Sequence, residues 1–300
     1  MAFFVEGKTA VVTGAGSGIC FSFAKLLLQR KCNVVLADLL LRPEAERLLQ
    51  DFSSPGARAR AVFQKTDVTK WDQLDRALEV AKKEFGGFDI VCPGAGVYEP
   101  LFSNFWHPPG SLPSKDAANN NRYASLDINL VHPIYATQQA ITHFIQRGKP
   151  GAVVHVSSIA AQRPVLTAPL YVAAKSGISN FIRSLAELEK PPRPNLPSIR
   201  VNGVAPGVIK TPLWTENPEK LRWIDTVKDV WVEPEEVAEA MLALVEKEEY
   251  VGGTVLEVGK GQMRQVEVLN DAGPTGAGHT VGNAAKGADE VWENLSARSV

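Results

Sequence analysis

Cysteine is scarce: Cys20, Cys32 and Cys92 are the only three in 300 residues, too few and too oddly spaced for a disulfide framework or a zinc site. Each stands in or beside an apolar run, so the chain is expected to fold without a structural disulfide in a reducing compartment, the cytoplasm. An excess of charge is missing too. With 32 Lys and Arg against 33 Asp and Glu, the chain lacks the electrostatic footprint that a nucleic acid or an anionic membrane surface would require. No apolar run is long enough to span a bilayer, and the opening Met-Ala-Phe-Phe-Val-Glu-Gly-Lys enters a strand-like segment without the pattern of a signal peptide. His132 and His279 have no metal-ligand company and read as bonded or solvated, so no metal is expected. We find no internal repeat. These exclusions leave small molecules as the expected ligands.

What the chain has is alternation. Short Val-, Ile- and Leu-rich runs at 9–13, 33–37, 59–64, 88–92, 152–156, 199–204 and 254–258 are separated by amphipathic stretches at 21–30, 43–52, 71–85, 123–147, 171–189 and 234–246. Near-continuous apolar strands divided by helices are what a parallel sheet covered on both faces requires. The pattern predicts one α/β domain over 1–258, a Rossmann-type, doubly wound, seven-stranded parallel sheet with helices on both faces. Pro234 followed by Glu235 and Glu236 marks a helix start, with φ fixed in the first turn and acids at the positive end of the dipole. Two segments break the alternation: 97–122, with Tyr98, Phe102, Phe105 and Trp106, and 206–231, with Trp214, Trp223 and Trp231. Loops this aromatic are packed over something, either a bulky apolar substrate or only the body of the domain. The remaining 259–300 reads as a C-terminal extension, Gly-rich and polar over 271–287 and helix-like over 289–297. It is expected to be disordered or draped over its own subunit or a neighbour, with Val291, Trp292 and Leu295 as apolar anchors.

Thr13-Gly14-Ala15-Gly16-Ser17-Gly18-Ile19-Cys20 joins the first strand to the first helix. Glycines there allow a tight turn and close backbone approach to a pyrophosphate at the helix N-terminus, where free N–H groups and the dipole favour anions. Asp38 follows the second strand, where a carboxylate accepts both ribose hydroxyls and repels a 2′-phosphate. The glycine turn holds no Lys or Arg and Arg42 is the only nearby cation, which favours NAD over NADP; a solvated acid at a loop start is the plainer account of Asp38. Further on, Tyr171 and Lys175 stand four apart and share a helix face, so an ammonium can favour the phenolate. Ser158 follows the apolar run 152–156, which presents its hydroxyl from a rigid strand end. On an ordinary helix the same Tyr–Lys spacing only packs and snorkels. Asn129 is polar inside an apolar helical segment, as a buried bonded residue or a functional one.

Together these residues resemble the short-chain dehydrogenase/reductases, whose usual signature is T-G-x-x-x-G-x-G, N-A-G, S…Y-x-x-x-K and P-G. The glycine turn, Asp67-Val68, Gly94-Ala95-Gly96, Asn129, Ser158, Tyr171, Lys175 and Pro206-Gly207 fall in the family's order between about Gly7 and Val258. The later chain, through Asp225 to Lys260-Gly261, resembles the branch containing NAD-linked 15-hydroxyprostaglandin dehydrogenase, and 92–100 with the aromatic insertion after it looks like fungal relatives of that branch. The resemblance implies that Ser158 bonds the substrate oxygen, Tyr171 exchanges the proton, Lys175 holds the nicotinamide ribose while lowering the Tyr171 pKa, and Asn129 supports a water relay behind Lys175. Cofactor contacts are implied at Gly14, Gly16, Ser17, Gly18 and Ile19 around the pyrophosphate and at Asp38 on the ribose. Asp67 and Val68 would flank the adenine and Gly94, Ala95 and Gly96 would pass beneath it. Val208 and Thr211, after Pro206 and Gly207, would meet the carboxamide. Asp67 equally suits a turn residue. The helices carrying Asn129 and Tyr171 form the family's usual pairing surface, which implies a homodimer or homotetramer.

Two departures stand out: Cys20 replaces the usual third glycine, and Pro93-Gly94 replace the two asparagines before Ala95-Gly96. Cofactor binding is expected to survive the first, while the second removes amides that brace the strand ends. The expectation is an NAD-dependent enzyme oxidising a bulky apolar secondary alcohol to a ketone with Tyr171 as acid and base. The alternatives are an NADPH-dependent ketoreductase, which needs Arg42 to offset Asp38, and a non-catalytic nucleotide-binding scaffold, suggested by Cys20 and Pro93.

Overall fold

Strand β1 (Thr9–Thr13) is buried along its whole length because its side chains feed two cores in alternation, Ala10 and Val12 into one and Val11 into the other. β2 (Asn33–Asp38) does the same, with Val34 and Leu36 on the first face and Val35 and Ala37 on the second. The computed structural model describes residues 3–54, 56–221, 224–225, 228–268 and 284–298; Trp223, His279 and most of the glycine-rich 271–287 lie outside them. The remaining strands are β3 (Ala61–Lys65), β4 (Ile90–Pro93), β5 (Gly151–Val156), β6 (Ile199–Pro206), β7 (Val255–Gly259) and β8 (Gln262–Gln265). Their order is β3-β2-β1-β4-β5-β6-β7-β8, parallel from β3 to β7. Such a sheet needs right-handed helical crossovers, and the amphipathic stretches supply them.

The first face is covered by α1 (Gly18–Gln29), α2 (Pro43–Asp51) and α9 (Pro234–Glu246) through Phe23, Leu27, Leu48, Val237 and Met241. The second is covered by α3 (Trp71–Phe85) and α5 (His132–Arg147) through Leu78, Ala81, Ala140 and Phe144. Beside them lies α6 (Pro169–Ser184), whose Ile178 and Ile182 pack on Ala205 and Val255. The helical run expected at 123–147 is broken: α4 (Ala124–Leu126) passes through one π-helical turn, Asp127–Val131, into α5. Two short helices, α7 (Pro212–Thr215) and α8 (Pro218–Leu221), sit in the 206–231 segment, and α9 begins at Pro234 with a capping box between Glu233 and Glu236.

One expectation is corrected. Among the described residues the sheet has eight strands, not seven, and the eighth, β8, is antiparallel to β7. A hairpin at Lys260-Gly261, with Gly261 at φ +65°, folds the chain back on the sheet edge, and all four β8 residues are exposed, so no apolar pattern announces it. The last helix, α10 (Ala284–Ser296), places Trp292 in the second core near Leu188 and Leu196, with Leu295 packed against it; Val291 stays exposed.

Candidate active site

The strand order reverses between β1 and β4, and register aligns the ends of β1 and its two neighbours, Thr13 pairing with Ala37 on β2 and with Pro93 on β4. A crevice beyond the carboxyl ends of parallel strands at such a switch point is where an open α/β sheet takes a ligand. Here it is a cleft of about 330 Å³. One end runs past Asp38 and Leu39, the floor past Gly94, Ala95 and Gly96, and the far end past Ser158, Tyr171 and Trp214.

The glycine turn is shaped for close approach. Gly14 has φ +74°, and a Cβ there would stand 2.8 Å from the Ala95 backbone; Gly18, at φ +59°, opens α1. The helix N-cap, Ser17, makes no side-chain capping bond, which leaves the first N–H groups of α1 directed at the cleft. Asp38 Oδ2 accepts the Gly16 N–H at 2.8 Å and Oδ1 accepts the Leu39 N–H at 2.7 Å, so the carboxylate braces the turn while keeping lone pairs toward the cleft it lines. These residues fit a dinucleotide: an anion-accepting helix end, a carboxylate at the second strand and a floor of small residues. Ser17, Gly18, Ile19, Asp67, Val68, Pro206, Gly207 and Thr211 line the cleft as well. Gly16 lies behind, held to Asp38, and Val208 is not at the wall, where Ile209 stands instead. Asp67 also accepts from Thr69, backbone N–H at 3.0 Å and hydroxyl at 2.8 Å, as a turn residue does.

The two departures in this region occupy one space. A Cβ at Gly94 would overlap Cys20 Sγ and lie 3.3 Å from Cys92 Sγ. The thiol that replaces a glycine on α1 therefore fills the room that a side chain at position 94 would need. Thr13 keeps part of the bracing, its hydroxyl accepting the Ala95 N–H at 3.2 Å and meeting His132 Nε2 at 3.1 Å.

At the far end Ser158 follows β5, its hydroxyl accepting the Ala160 N–H at 3.1 Å and lining the cleft together with Tyr171. Ser157 ties the strand end to α6, bonding the Lys175 carbonyl at 3.1 Å and the Ser179 hydroxyl at 2.7 Å. Lys175 is 5% exposed; its ammonium donates to the Val156 carbonyl at 2.6 Å and lies 5.5 Å from the centre of the Tyr171 ring. Asn129, in the π turn, pairs both ends of its carboxamide with the Val97 backbone, donating at 2.8 Å and accepting at 3.0 Å. It does not reach the cleft wall. Gly96 intervenes, and a Cβ there would come within 3.0 Å of Asn129 Oδ1 and 3.7 Å of Lys175 Nζ.

Electrostatics depart from the expected lowering of the Tyr171 pKa by Lys175. Burial pushes the Tyr171 phenol up to about 12, with the Ser158 hydroxyl opposing, and burial also pulls Lys175 down to about 8. The physical reason is burial of both groups; the ammonium itself is bonded to the Val156 carbonyl. Over Tyr171 stands Tyr98, edge-on at 4.8 Å between ring centres, and Tyr98 in turn lies 5.3 Å from Trp214. Trp214, one of the aromatics expected over the site, lines the cleft, whereas Glu99 has no mark in the sequence reading: 5% exposed, it accepts the Tyr171 N–H at 3.0 Å. A carboxylate inside an aromatic loop, before a helix that starts Ala168-Pro169 without a polar cap, was the available signal.

Among the described residues, no group of three or more His, Cys, Asp or Glu is placed to hold a metal ion, and no helix is long and apolar enough to cross a membrane.

Comparison with known proteins agrees with this geometry. The chain matches the short chain dehydrogenase family over residues 8–222. It is 34% identical over 259 residues to a cis-4-hydroxycyclohexanecarboxylate dehydrogenase of Sinomonas cyclohexanicum, covering 85% of this chain and 96% of that one. It is 27% identical over 270 residues to the NAD(+) 15-hydroxyprostaglandin dehydrogenase of Rattus norvegicus, covering 85% and 91%. A short-chain type dehydrogenase/reductase from Mycobacterium marinum shares the fold, with a TM-score of 0.70 at 22% identity over 87% of this chain and 97% of that one. With a cleft at the switch point, a Ser–Tyr–Lys set at its end and a family match across most of its length, the chain belongs to the short-chain dehydrogenase/reductases and is an oxidoreductase of that family.

Proposed function

We propose that the chain is an NAD-linked dehydrogenase that oxidises a bulky, largely apolar secondary alcohol to its ketone. The observation that carries this reading is that Ser158, Tyr171 and Lys175 line one end of a cleft whose other end is lined by Asp38. Ser158 holds the substrate oxygen, and Tyr171 takes its proton in oxidation and returns it in reduction. Lys175 places a positive charge below the Tyr171 ring. A bound nicotinamide dinucleotide would supply the hydride-accepting chemistry and a positive charge at this end of the cleft, next to Ser158 and Tyr171.

NAD is favoured over NADP by two features. Asp38 lines the ribose end, and the Arg42 guanidinium makes a two-pronged contact with Glu216, 2.5 Å at each prong, which engages the cation a 2′-phosphate would use. An apolar substrate is supported by Tyr98, Leu213 and Trp214 around Tyr171, and by relatives named for a hydroxycyclohexanecarboxylate and a hydroxyprostaglandin. Buried, free Cys20, Cys32 and Cys92 suit a reducing compartment such as the cytoplasm. Exposed Val131 and Ile134, on and beside α5, suit a homodimer or homotetramer paired through that face.

Tyr171→Phe is expected to cut NADH formation from a panel of cyclic and long-chain secondary alcohols by about a thousandfold while the NAD dissociation constant stays within twofold. A mutant as active as the parent would refute the assignment of the base.

A further inference from the structure

The helix that carries Tyr171 and Lys175 has no cap of its own. α6 starts at Pro169, its N-cap Ala168 offers no side-chain acceptor, and the N–H groups of Leu170 and Tyr171 need partners. The partner for Tyr171 is supplied from 97–122, the insertion that follows β4. Glu99 accepts the Tyr171 N–H through Oε2 at 3.0 Å, while Oε1 accepts the Phe105 N–H at 3.1 Å, and the adjacent Leu170 N–H also favours the charged carboxylate. Burial raises the Glu99 pKa, and only the three N–H donors oppose it. The backbone at Glu99 is left-handed, φ +35°, a conformation an L residue rarely holds, and its carbonyl accepts the Asn104 side chain at 3.0 Å.

The same insertion is anchored at its other end. Asp116 Oδ1 accepts the Ala124 N–H at 2.9 Å at the start of α4, and Oδ2 accepts the Ser103 hydroxyl at 2.6 Å; Ser103 Oγ accepts the Ser125 N–H at 2.9 Å. Ser103 and Ser125 are fully buried, 0% and 1% exposed. The insertion thus spans the starts of the two helical runs that bear Asn129 and Tyr171, and Tyr98, next to Glu99, rests edge-on against Tyr171.

We propose that Glu99 is a positioning residue for proton transfer: as a cap for α6 supplied by the insertion, it sets where the Tyr171 hydroxyl stands against Ser158. This rests on the reading of Tyr171 as the base. A carboxylate can accept on both oxygens, whereas a carboxamide has one acceptor, so Glu99→Gln must turn an N–H toward either Tyr171 or Phe105.

The test compares the parent, Glu99→Gln and Tyr171→Phe on the same secondary-alcohol panel with NAD, alongside NAD affinity and amide hydrogen exchange. Glu99→Gln is expected to lower kcat tenfold or more, leave the NAD dissociation constant within twofold, and speed exchange at the Leu170 and Tyr171 amides tenfold while β1 and β5 stay protected. A kcat within twofold of the parent would overturn the inference. So would an equal loss of kcat and NAD affinity, which marks a general prop of the fold, or unchanged exchange at Leu170 and Tyr171, which is readable even without turnover. If Tyr171→Phe is inactive while Glu99→Gln behaves as the parent, only the role of Glu99 fails; if Tyr171→Phe is active, the functional reading fails with it.

Discussion

At the residue scale, type and spacing were enough to pick out Ser158, Tyr171 and Lys175, because a strand end and two positions one helical turn apart constrain where side chains point. Their charge states were not legible. Whether an ammonium favours a phenolate depends on how near it stands and how deeply both groups are buried, and both are set by the assembled fold, in which Lys175 bonds the Val156 carbonyl. Asp38 poses a similar question, since its carboxylate both braces the glycine turn and faces the ribose end of the cleft. Asp38→Asn largely separates these roles, because its one amide oxygen can still accept the Gly16 N–H, at the loss of the exposed Leu39 N–H bond, while the charge that repels a 2′-phosphate is gone. The ratio of NADP to NAD affinity is expected to rise about tenfold, equivalent to ~1.4 kcal/mol. Fluorescence titration with both dinucleotides reads it, and an unchanged ratio would leave Asp38 as a structural brace alone.

At the scale of elements, the parallel strands were legible because the central ones are buried on both faces, which forces most of their positions to be apolar; the edge strand β3, only partly buried, is the weakest of these signals. β8 was not: an exposed edge strand reading Gln262-Met-Arg-Gln265 is held by backbone pairing and by the cross-strand Arg264–Glu257 ion pair, neither of which leaves an apolar pattern in the sequence. Nor could the sequence reveal that Cys20 and Gly94 are complementary, since they lie on different elements and meet only when α1 docks against the end of β4. That contact predicts a non-additive pair. Gly94→Ala places a methyl into Cys20 Sγ and is expected to cost about 1–3 kcal/mol, as overpacking in a filled core does. Removing the sulfur in the Cys20→Ala, Gly94→Ala double mutant should recover most of that loss. Urea unfolding of the two single mutants and the double mutant measures the coupling. Additive losses would mean that Gly94 is needed for its backbone rather than for the space beside it.

At the scale of the whole molecule, α5 is fastened to the sheet through neutral histidines. His132 meets Thr13 Oγ1 through Nε2 and the Ile128 carbonyl through Nδ1, each at 3.1 Å, and His155 Nε2 meets Thr137 Oγ1 at 3.1 Å. His143 accepts the Phe88 N–H at 3.3 Å and stacks on the Phe88 ring. Read singly from the sequence, His132 was a bonded or solvated residue; only the assembled sheet shows three imidazoles inside one layer. Burial pulls His132 and His143 down to about 4 and His155 to about 3, all below the ordinary 6.5. The unfolded chain therefore takes up these protons first as the pH falls. Stability from this source is complete above about pH 6.5 and is lost steadily toward pH 4. His132 and His155, both 0% exposed, contribute up to ~1.4 kcal/mol per pH unit each, so ~3 kcal/mol per unit together; His143, less deeply placed, adds less. The urea midpoint should fall markedly between pH 7 and pH 5, and His155→Gln should shallow that fall by about a third to a half. His155 Nδ1 has no hydrogen-bond partner among the described residues, and Gln keeps two polar ends there, so the substitution changes the titration while keeping the polar character of the site. A midpoint that holds constant from pH 7 to pH 5 would mean that these imidazoles reach water when protonated, and that the layer between α5 and the sheet is looser than its packing implies.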